Sequence, residues 1–233
     1  MESANIVGYN NTEARADLNW YAPQFLTVGA NTIDIQSIKL DDAGAMSVGW
    51  GDVMQIVGPK GNAETMYFYW DASMDPEEKA TTYYWGDDGC NAVEVSFDSG
   101  DGLAFDNMNA NEFVIQNAGQ VPSGMVTVPA REGMIWSGNP FPAPINLNAI
   151  VLNDDAAGSV GWGDVMQIVG PKGNAETMYF YWDPSMDPEE KATTAYWGDD
   201  GCNVVNVTLQ PGAGFAIDNM NALEFDIEIA CPY

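Results

Sequence analysis

A near-perfect internal repeat constrains this chain more than any other feature. Residues 47–91 read SVGWGDVMQIVGPKGNAETMYFYWDASMDPEEKATTYYWGDDGCN, and they recur 112 positions later as residues 159–203. Only two of the 45 positions differ, with Ala72 replaced by Pro184 and Tyr83 by Ala195. The 233 residues therefore divide into two domains, residues 1–121 and 122–233. Each domain is long enough to close a modest hydrophobic core.

Short runs of β-forming residues, separated by turns, predict the secondary structure. Within residues 65–70 (TMYFYW), a period of two places Met66, Phe68 and Trp70 on one face and Tyr67 and Tyr69 on the other. We expect a loop at residues 10–17 and one or two helical turns beginning at residues 75–80. The further strands of the first domain are predicted at residues 5–9, 33–40, 53–57, 92–97, 103–105 and 113–115, and most recur in the second.

Many short strands with almost no helical periodicity predict an all-β fold. We expect two tandem antiparallel β-sandwich domains of the jelly-roll or immunoglobulin-like kind, related by internal duplication. The linker at residues 119–124 (GQVPSG) is short, so the two domains should contact each other.

The charge balance excludes several functions. There are 34 acidic residues against 7 basic ones and no histidine, which gives a net charge of −27. Such a chain repels nucleic acid and anionic membrane surfaces. It has no run of about 18 apolar residues that could insert into a membrane. The carboxylates either keep the surface free of non-specific contacts or bind divalent cations.

The residue inventory predicts that the protein is not an enzyme. Without histidine there is no Ser-His-Asp or Cys-His arrangement and no imidazole metal ligand. A glycosidase-type pair of carboxylates stays formally open, but it needs a concave site that raises one pKa, which no sequence motif here identifies.

Calcium is the cofactor that the acidic turns suggest, because its ligands are oxygens. The candidate ligands are Asp87 and Asp88 in the first copy, and Asp199 and Asp200 in the second, all in glycine-flanked turns. The alternative is that these residues only form turns, with solvated side chains. A second acidic loop, with Asp98 and Asp101, is not repeated.

Aromatic residues form the other candidate site. Each of the eight tryptophans has a counterpart in the other copy, and sugars stack on exposed aromatic rings, although tryptophans more often build the core. The candidates for a packing interface or a glycan-binding platform are Tyr67, Tyr69 and Trp85, with Tyr179, Tyr181 and Trp197.

The cysteines leave two alternatives open. In an oxidising compartment Cys202 and Cys231 are the natural disulfide pair; otherwise all three cysteines are free thiols.

Residues 136–145 (WSGNPFPAPI) resemble the GNPFP-PI segment of repeat β-domains in large secreted and surface proteins of bacteria. The run GDVMQIVGPKG and residues 211–217 (PGAGFAI) are similar to the same domains, although the first copy has Ala22 to Phe25 (APQF) at the GNPF position. The resemblance implies a non-catalytic, extracellular or cell-surface module and identifies no functional residues. The first residues lack the basic and apolar regions of a signal peptide, and the expectation of an extracellular or cell-surface location comes from the resemblance alone.

These observations lead to two functional hypotheses. The first is a structural protein whose tandem domains stack head to tail with further copies into a filament or surface layer. The alternative is a carbohydrate-binding or adhesion module that holds a polysaccharide on its paired tryptophans.

Overall fold

The structure is a computed structural model, and it describes residues 7–14, 17–41, 53–57, 63–70, 83–89, 91–107, 112–153, 165–169, 175–182, 195–201, 203–219 and 224–233. These ranges are all-β, with antiparallel strand pairs and no α-helix, as the sequence predicts. The helical turn predicted at residues 75–80 lies outside them. We call residues 1–121 the first half and residues 122–233 the second half.

Ten strands lie within the described residues of the first half. They are β1 (Val7–Ala14), β2 (Asp17–Tyr21), β3 (Thr32–Asp34), β4 (Ile38–Asp41), β5 (Val53–Val57), β6 (Ala63–Trp70), β7 (Tyr83–Gly86), β8 (Ser96–Asp98), β9 (Leu103–Asn107) and β10 (Phe113–Gln120).

The part of the second half that the structure describes also has ten strands, in the same order. They are β11 (Val126–Ala130), β12 (Gly133–Gly138), β13 (Ile145–Asn146), β14 (Ile150–Asn153), β15 (Val165–Val169), β16 (Ala175–Trp182), β17 (Ala195–Gly198), β18 (Thr208–Leu209), β19 (Gly214–Asn219) and β20 (Phe225–Ile229).

Both halves arrange their strands into the same three sheets. In the first half the orders are β1-β10-β4, β2-β9-β5-β6-β7 and β3-β8. In the second half they are β11-β20-β14, β12-β19-β15-β16-β17 and β13-β18. The register is also equivalent, because Phe68 pairs with Trp85 in one half and Phe180 pairs with Trp197 in the other.

Each half has a hydrophobic core of its own, lined by strands of both the three-stranded and the five-stranded sheet. In the first half Leu40 and Ile115 come from the former, and Phe68 and Leu103 from the latter. Met66 and Phe68 belong to the core, whereas the half-buried Tyr67 and the buried Tyr69 lie outside it, so the two faces alternate from Met66 to Tyr69 as predicted. Burial of each large side chain contributes roughly 1.5–3 kcal/mol.

The loop predicted at residues 10–17 is wrong, because β1 runs through to Ala14. It pairs with β10 over its full length, from Val7 opposite Gln120 to Ala14 opposite Phe113. Thr12 and Ala14 face inward and are buried. Because polar residues occupy most positions of this stretch, the sequence does not show the apolar–polar alternation that indicates a strand.

The continuous strand predicted at residues 33–40 is interrupted by a 3₁₀ turn at Ile35–Ser37. The carboxylate of Asp34 caps this turn by accepting a hydrogen bond from the backbone N–H of Gln36, at 2.9 Å. The second half repeats the arrangement, with Asn146 capping a 3₁₀ turn at Leu147–Ala149.

The two halves meet through reciprocal contacts. Tyr21 of the first half forms an antiparallel bridge with Ala213 of the second, and Asp101 of the first forms one with Ser137 of the second. Tyr21 and Ser137 are equivalent positions of the two copies, as are Asp101 and Ala213. Each half therefore uses the same two positions to contact the equivalent positions of the other half, which is the pattern of a two-fold, isologous interface.

Two glycines let the backbones approach at this interface. A Cβ on Gly102 would lie 2.6 Å from the backbone N of Ser137, and one on its counterpart Gly214 would lie 2.8 Å from the backbone N of Tyr21. The amide of Gly102 also donates a hydrogen bond to the carbonyl of Trp136, at 3.1 Å. Only glycine fits at these two positions.

Candidate functional site

A row of three tyrosines lies on the face of the five-stranded sheet that points away from the core. In the first half Tyr67 lies 6.0 Å from Tyr69, and Tyr69 lies 5.3 Å from Tyr84, between ring centroids. The outer two rings are half-buried and the central one is 4% exposed. The hydroxyl of Tyr69 donates to the carbonyl of Asp87, at 2.9 Å. We call these three residues the first tyrosine row.

The second half carries an equivalent second tyrosine row, formed by Tyr179, Tyr181 and Tyr196. The centroid distances are 5.9 Å and 5.5 Å. The central Tyr181 again donates through its hydroxyl to a backbone carbonyl, that of Asp199, at 3.0 Å. The two rows are thus held in the same way, and the chain presents the same aromatic group twice.

The structure corrects one part of the predicted aromatic site. Trp85 and Trp197 have no exposed surface and belong to the two cores. Their indole N–H groups donate to the carbonyls of Ile38, at 2.7 Å, and Ile150, at 2.8 Å. They cannot stack on a sugar, because their rings do not reach solvent. Among the described side chains of these strands, the outward aromatic rings are those of tyrosines.

Tyr84 and Tyr196 take the outward positions that the sequence assigned to the tryptophans. Tyr84 pairs with Tyr69 in the sheet, one residue away from the inward pair of Phe68 with Trp85. Strict alternation along residues 83–86 places Tyr84 and Trp85 on opposite faces, and the pairing of Trp85 with Phe68 decides that Tyr84 is the outward one.

A side-chain clamp fixes the strand that carries these residues. The Gln36 amide donates to the carbonyls of Trp85 and Val93, at 2.9 and 2.8 Å, and accepts from the backbone N–H of Trp85, at 2.9 Å. Asn148 takes this role in the second half, donating to Val205 at 2.9 Å and accepting from Trp197 at 3.1 Å. The clamp ties β7 and β17 to the 3₁₀ turns.

The acidic turn of the first half is built around the carboxylate of Asp87. Its oxygens accept hydrogen bonds from the backbone N–H of Gly89, at 2.9 Å, and from Asn91, whose backbone N–H lies at 2.8 Å and whose side-chain amide lies at 3.1 Å. The hydrogen bonds from Asn91, and then that from Gly89, hold the pKa of Asp87 below its ordinary value.

Asp199 makes the equivalent contacts in the second half. Its carboxylate accepts from Gly201 at 2.9 Å, and from Asn203 at 2.9 Å through the backbone and 3.0 Å through the side chain. These hydrogen bonds, with the Asn203 backbone first, lower the pKa of Asp199. The carboxylates of Asp87 and Asp199 are therefore both hydrogen-bonded by N–H groups of their own turns.

The other two predicted calcium ligands, Asp88 and Asp200, are exposed beside these turns. Within the described residues, no three acidic or cysteine side chains gather into a group that could hold a metal ion. Calcium binding at the four aspartates stays a prediction.

The predicted disulfide also stays a prediction, because Cys202 lies outside the described residues. Cys231 is partly buried against the second core, and its thiol donates to the carbonyl of Tyr233, at 3.3 Å.

The sequence did not single out the contact between Trp20 and Trp136. Their rings stack with centroids 3.3 Å apart, and both pack with the buried Ala104 and Ala216 between the halves. Their equivalence in the repeat was the available signal, since an interface between two like domains brings like residues together.

Comparison of the chain with models of known protein families, with curated proteins and with solved structures finds no match. The resemblance to bacterial repeat β-domains stays an expectation. No helix in the described ranges is long and apolar enough to cross a membrane.

Proposed function

We propose that this chain is a non-enzymatic structural protein, secreted to the outside or surface of a bacterial cell, that assembles with further copies of itself into a filament or layer. Each half acts as one β-sandwich, so the chain is a tandem pair of related domains. The two sheets that line each core support this reading, since sheets facing each other across a shared core define a sandwich.

The observation that carries the proposal is the recurrence of the tyrosine row on two halves that contact each other reciprocally. A chain with two equivalent adhesive surfaces has two neighbours, and such a chain grows linearly rather than stopping at a dimer. Tyrosine suits such a surface, because its ring supplies apolar area while its hydroxyl tolerates water.

The reciprocal interface changes the expected geometry of assembly. The sequence suggested head-to-tail stacking, in which one domain's surface meets a different surface of the next. Within the chain the halves meet through equivalent residues, as the bridges of Tyr21 and Ser137 show. That contact is closed, so growth uses a different surface, and we assign the tyrosine rows to it.

Charge should control this assembly. With a net charge of −27, copies of the chain repel each other at low ionic strength. Salt at about 0.15 M reduces the screening length to about 8 Å, which allows aromatic surfaces to approach. Added salt should therefore promote assembly, in contrast to a complex held by opposite charges.

Sedimentation velocity of row variants tests the proposal. Tyr67→Ser with Tyr84→Ser removes the first row, and Tyr179→Ser with Tyr196→Ser removes the second. Each pair should stop growth at the dimer, and all four changes together should give monomers. Leu18→Ser and Met134→Ser are matched controls, because these side chains are 43% and 40% exposed and lie outside the rows. If the variant with all four substitutions assembled as the wild type does, the tyrosine rows would not be the assembly surface.

A further inference from the structure

A cleft of about 360 Å³ lies where the two halves are joined. Its walls come from the turn after β8, from the end of β10 and the linker, and from the start of β11. The side chains that matter for its chemistry are Asn31, Asp98, Ser99, Gln120, Met125 and Thr127. Neither the tyrosine rows nor the reciprocal interface uses these side chains.

The wall that carries Asp98 and Ser99 is fixed by both halves. The backbone N–H of Asp98 donates to the carboxylate of Asp101, at 2.9 Å, and the N–H of Asp101 donates back to the carbonyl of Asp98, at 3.1 Å. Gly100 supplies the left-handed conformation of this turn, with φ of 95°. From the second half, the Ser137 hydroxyl donates to the Gly100 carbonyl, at 2.8 Å.

The opposite wall is also held in place. The backbones of Gln120 and Leu26 exchange two hydrogen bonds, at 2.8 and 2.9 Å. The hydroxyl of Tyr233 donates to the carbonyl of Pro122 in the linker, at 3.4 Å. Internal contacts fix both walls before any ligand binds. Binding in the cleft would therefore not carry the entropic cost of ordering these walls.

The lining defines the chemical class of the ligand. It offers one carboxylate, two amides and three hydroxyls, from Asp98, from Asn31 and Gln120, and from Ser99, Ser123 and Thr127. No basic side chain lines it among the described residues, so it does not attract anions. The Ser99 hydroxyl is buried and has no hydrogen-bond partner in the described part of the chain. Buried polar atoms of this kind usually have a partner. Rotation about the Cα–Cβ bond of Ser99 would turn this hydroxyl toward a ligand in the cleft, which would then supply the partner.

Apolar side chains complete the lining. Leu26 and Met125 both face the cleft, and Met125 is 59% exposed. A sugar matches this lining. Its adjacent hydroxyls can exchange hydrogen bonds with the carboxylate and amide groups, and the C–H face of its ring can pack on the apolar side chains.

We propose that this cleft binds one neutral sugar residue, with Asp98 and Ser99 as its main polar contacts. The equivalent turn of the second half lacks both residues, because Gln210 and Pro211 stand in their places. The site is independent of the proposed assembly. It places carbohydrate binding at the junction of the halves instead of at Trp85 and Trp197, which are buried.

Nuclear magnetic resonance titration with methyl glycosides of glucose, mannose, galactose and N-acetylglucosamine tests this site on the full chain. At least one glycoside should bind saturably in the millimolar range and shift the amide signals of residues 98–99 and 120–127. Asp98→Ala and Ser99→Ala should each weaken binding about tenfold, a loss of about 1.4 kcal/mol. Gln210→Ala is the matched control at the equivalent turn and should leave binding unchanged.

Three outcomes would overturn the proposal. The first is that no glycoside saturates the signals, and the second is that the shifts map to the tyrosine rows. The third is that ethylammonium, used as a cationic probe, binds at Asp98 while the glycosides do not. Wild-type sedimentation behaviour in Asp98→Ala and Ser99→Ala would show that these results are independent of self-assembly.

Discussion

The indole rings of Trp20 and Trp136 stack with centroids 3.3 Å apart and an angle of 18° between their planes. The two residues occupy equivalent positions of the two copies, so each ring meets its own counterpart. The stack therefore lies where the approximate two-fold relationship of the halves has its axis.

The first prediction concerns this pair. Trp20→Ala should lower the free energy of unfolding by about 3 kcal/mol, because the ring is buried and its removal leaves a cavity. A double-mutant cycle with Trp136→Ala should give a coupling energy of about 1 kcal/mol, measured by urea denaturation. Met134→Ala on the same strand as Trp136 is the control and should change stability by less than about 0.5 kcal/mol. Additive losses from the two tryptophans would contradict the stack.

The second prediction tests whether the interface is reciprocal. Gly102→Ala and Gly214→Ala should each cost about 2 kcal/mol, because the added methyl group meets the backbone of the other half. The two losses should agree, since the positions are equivalent. Gly124→Ala, which meets no atom within 4 Å, is the control and should cost about 1 kcal/mol through its left-handed backbone alone. Unfolding curves in urea provide the measurement, and loss at only one glycine would argue against reciprocity.

The third prediction concerns the clamp on β7. Gln36→Leu should cost about 2 kcal/mol, because it leaves the backbone groups of Trp85 and Val93 without their side-chain partner. Asn148→Leu should cost less, about 1 kcal/mol, since Asn148 makes fewer such bonds and is exposed. Asn148→Gln should be close to neutral. Equal stability of wild type and Gln36→Leu in thermal denaturation would rule out the clamp.

The fourth prediction is a dependence on pH. The folded-state pKa of Asp87 lies below the ordinary value of 3.8, so its hydrogen bonds stabilise the fold above that pH and are lost as the pH falls below it. Asp87→Ala should therefore lower the melting temperature at neutral pH, and the difference from wild type should shrink on acidification. Asp88→Ala is the control, because Asp88 is exposed beside the turn. A difference that persists unchanged at low pH would contradict this account.

The same turns decide whether calcium binds. If Asp87, Asp88 and their counterparts Asp199 and Asp200 bind the ion, excess calcium should raise the melting temperature above that in EDTA. Identical melting curves in the two solutions would contradict calcium binding.

Some of the fold follows from local pattern, and some depends on contacts that no local pattern contains. The alternation along residues 65–70 predicts the inward face of Phe68 and the outward face of Tyr67, because a strand has a period of two. The polar residues of β1 gave no such signal, and only their pairing with β10 makes them a strand. The outward position of Tyr84 depends on register across β6, and the stack of Trp20 on Trp136 depends on how two whole domains meet.

The central claim is that one chain carries two equivalent surfaces through which copies of it join. Multi-angle light scattering of the unmodified protein, at rising concentration and at low and physiological salt, tests it most directly, with negative-stain microscopy of the same samples. We predict a molar mass that passes beyond the dimer as concentration and salt increase, with linear or sheet-like particles on the grid. A monomer mass under every condition, with and without calcium, would contradict the account.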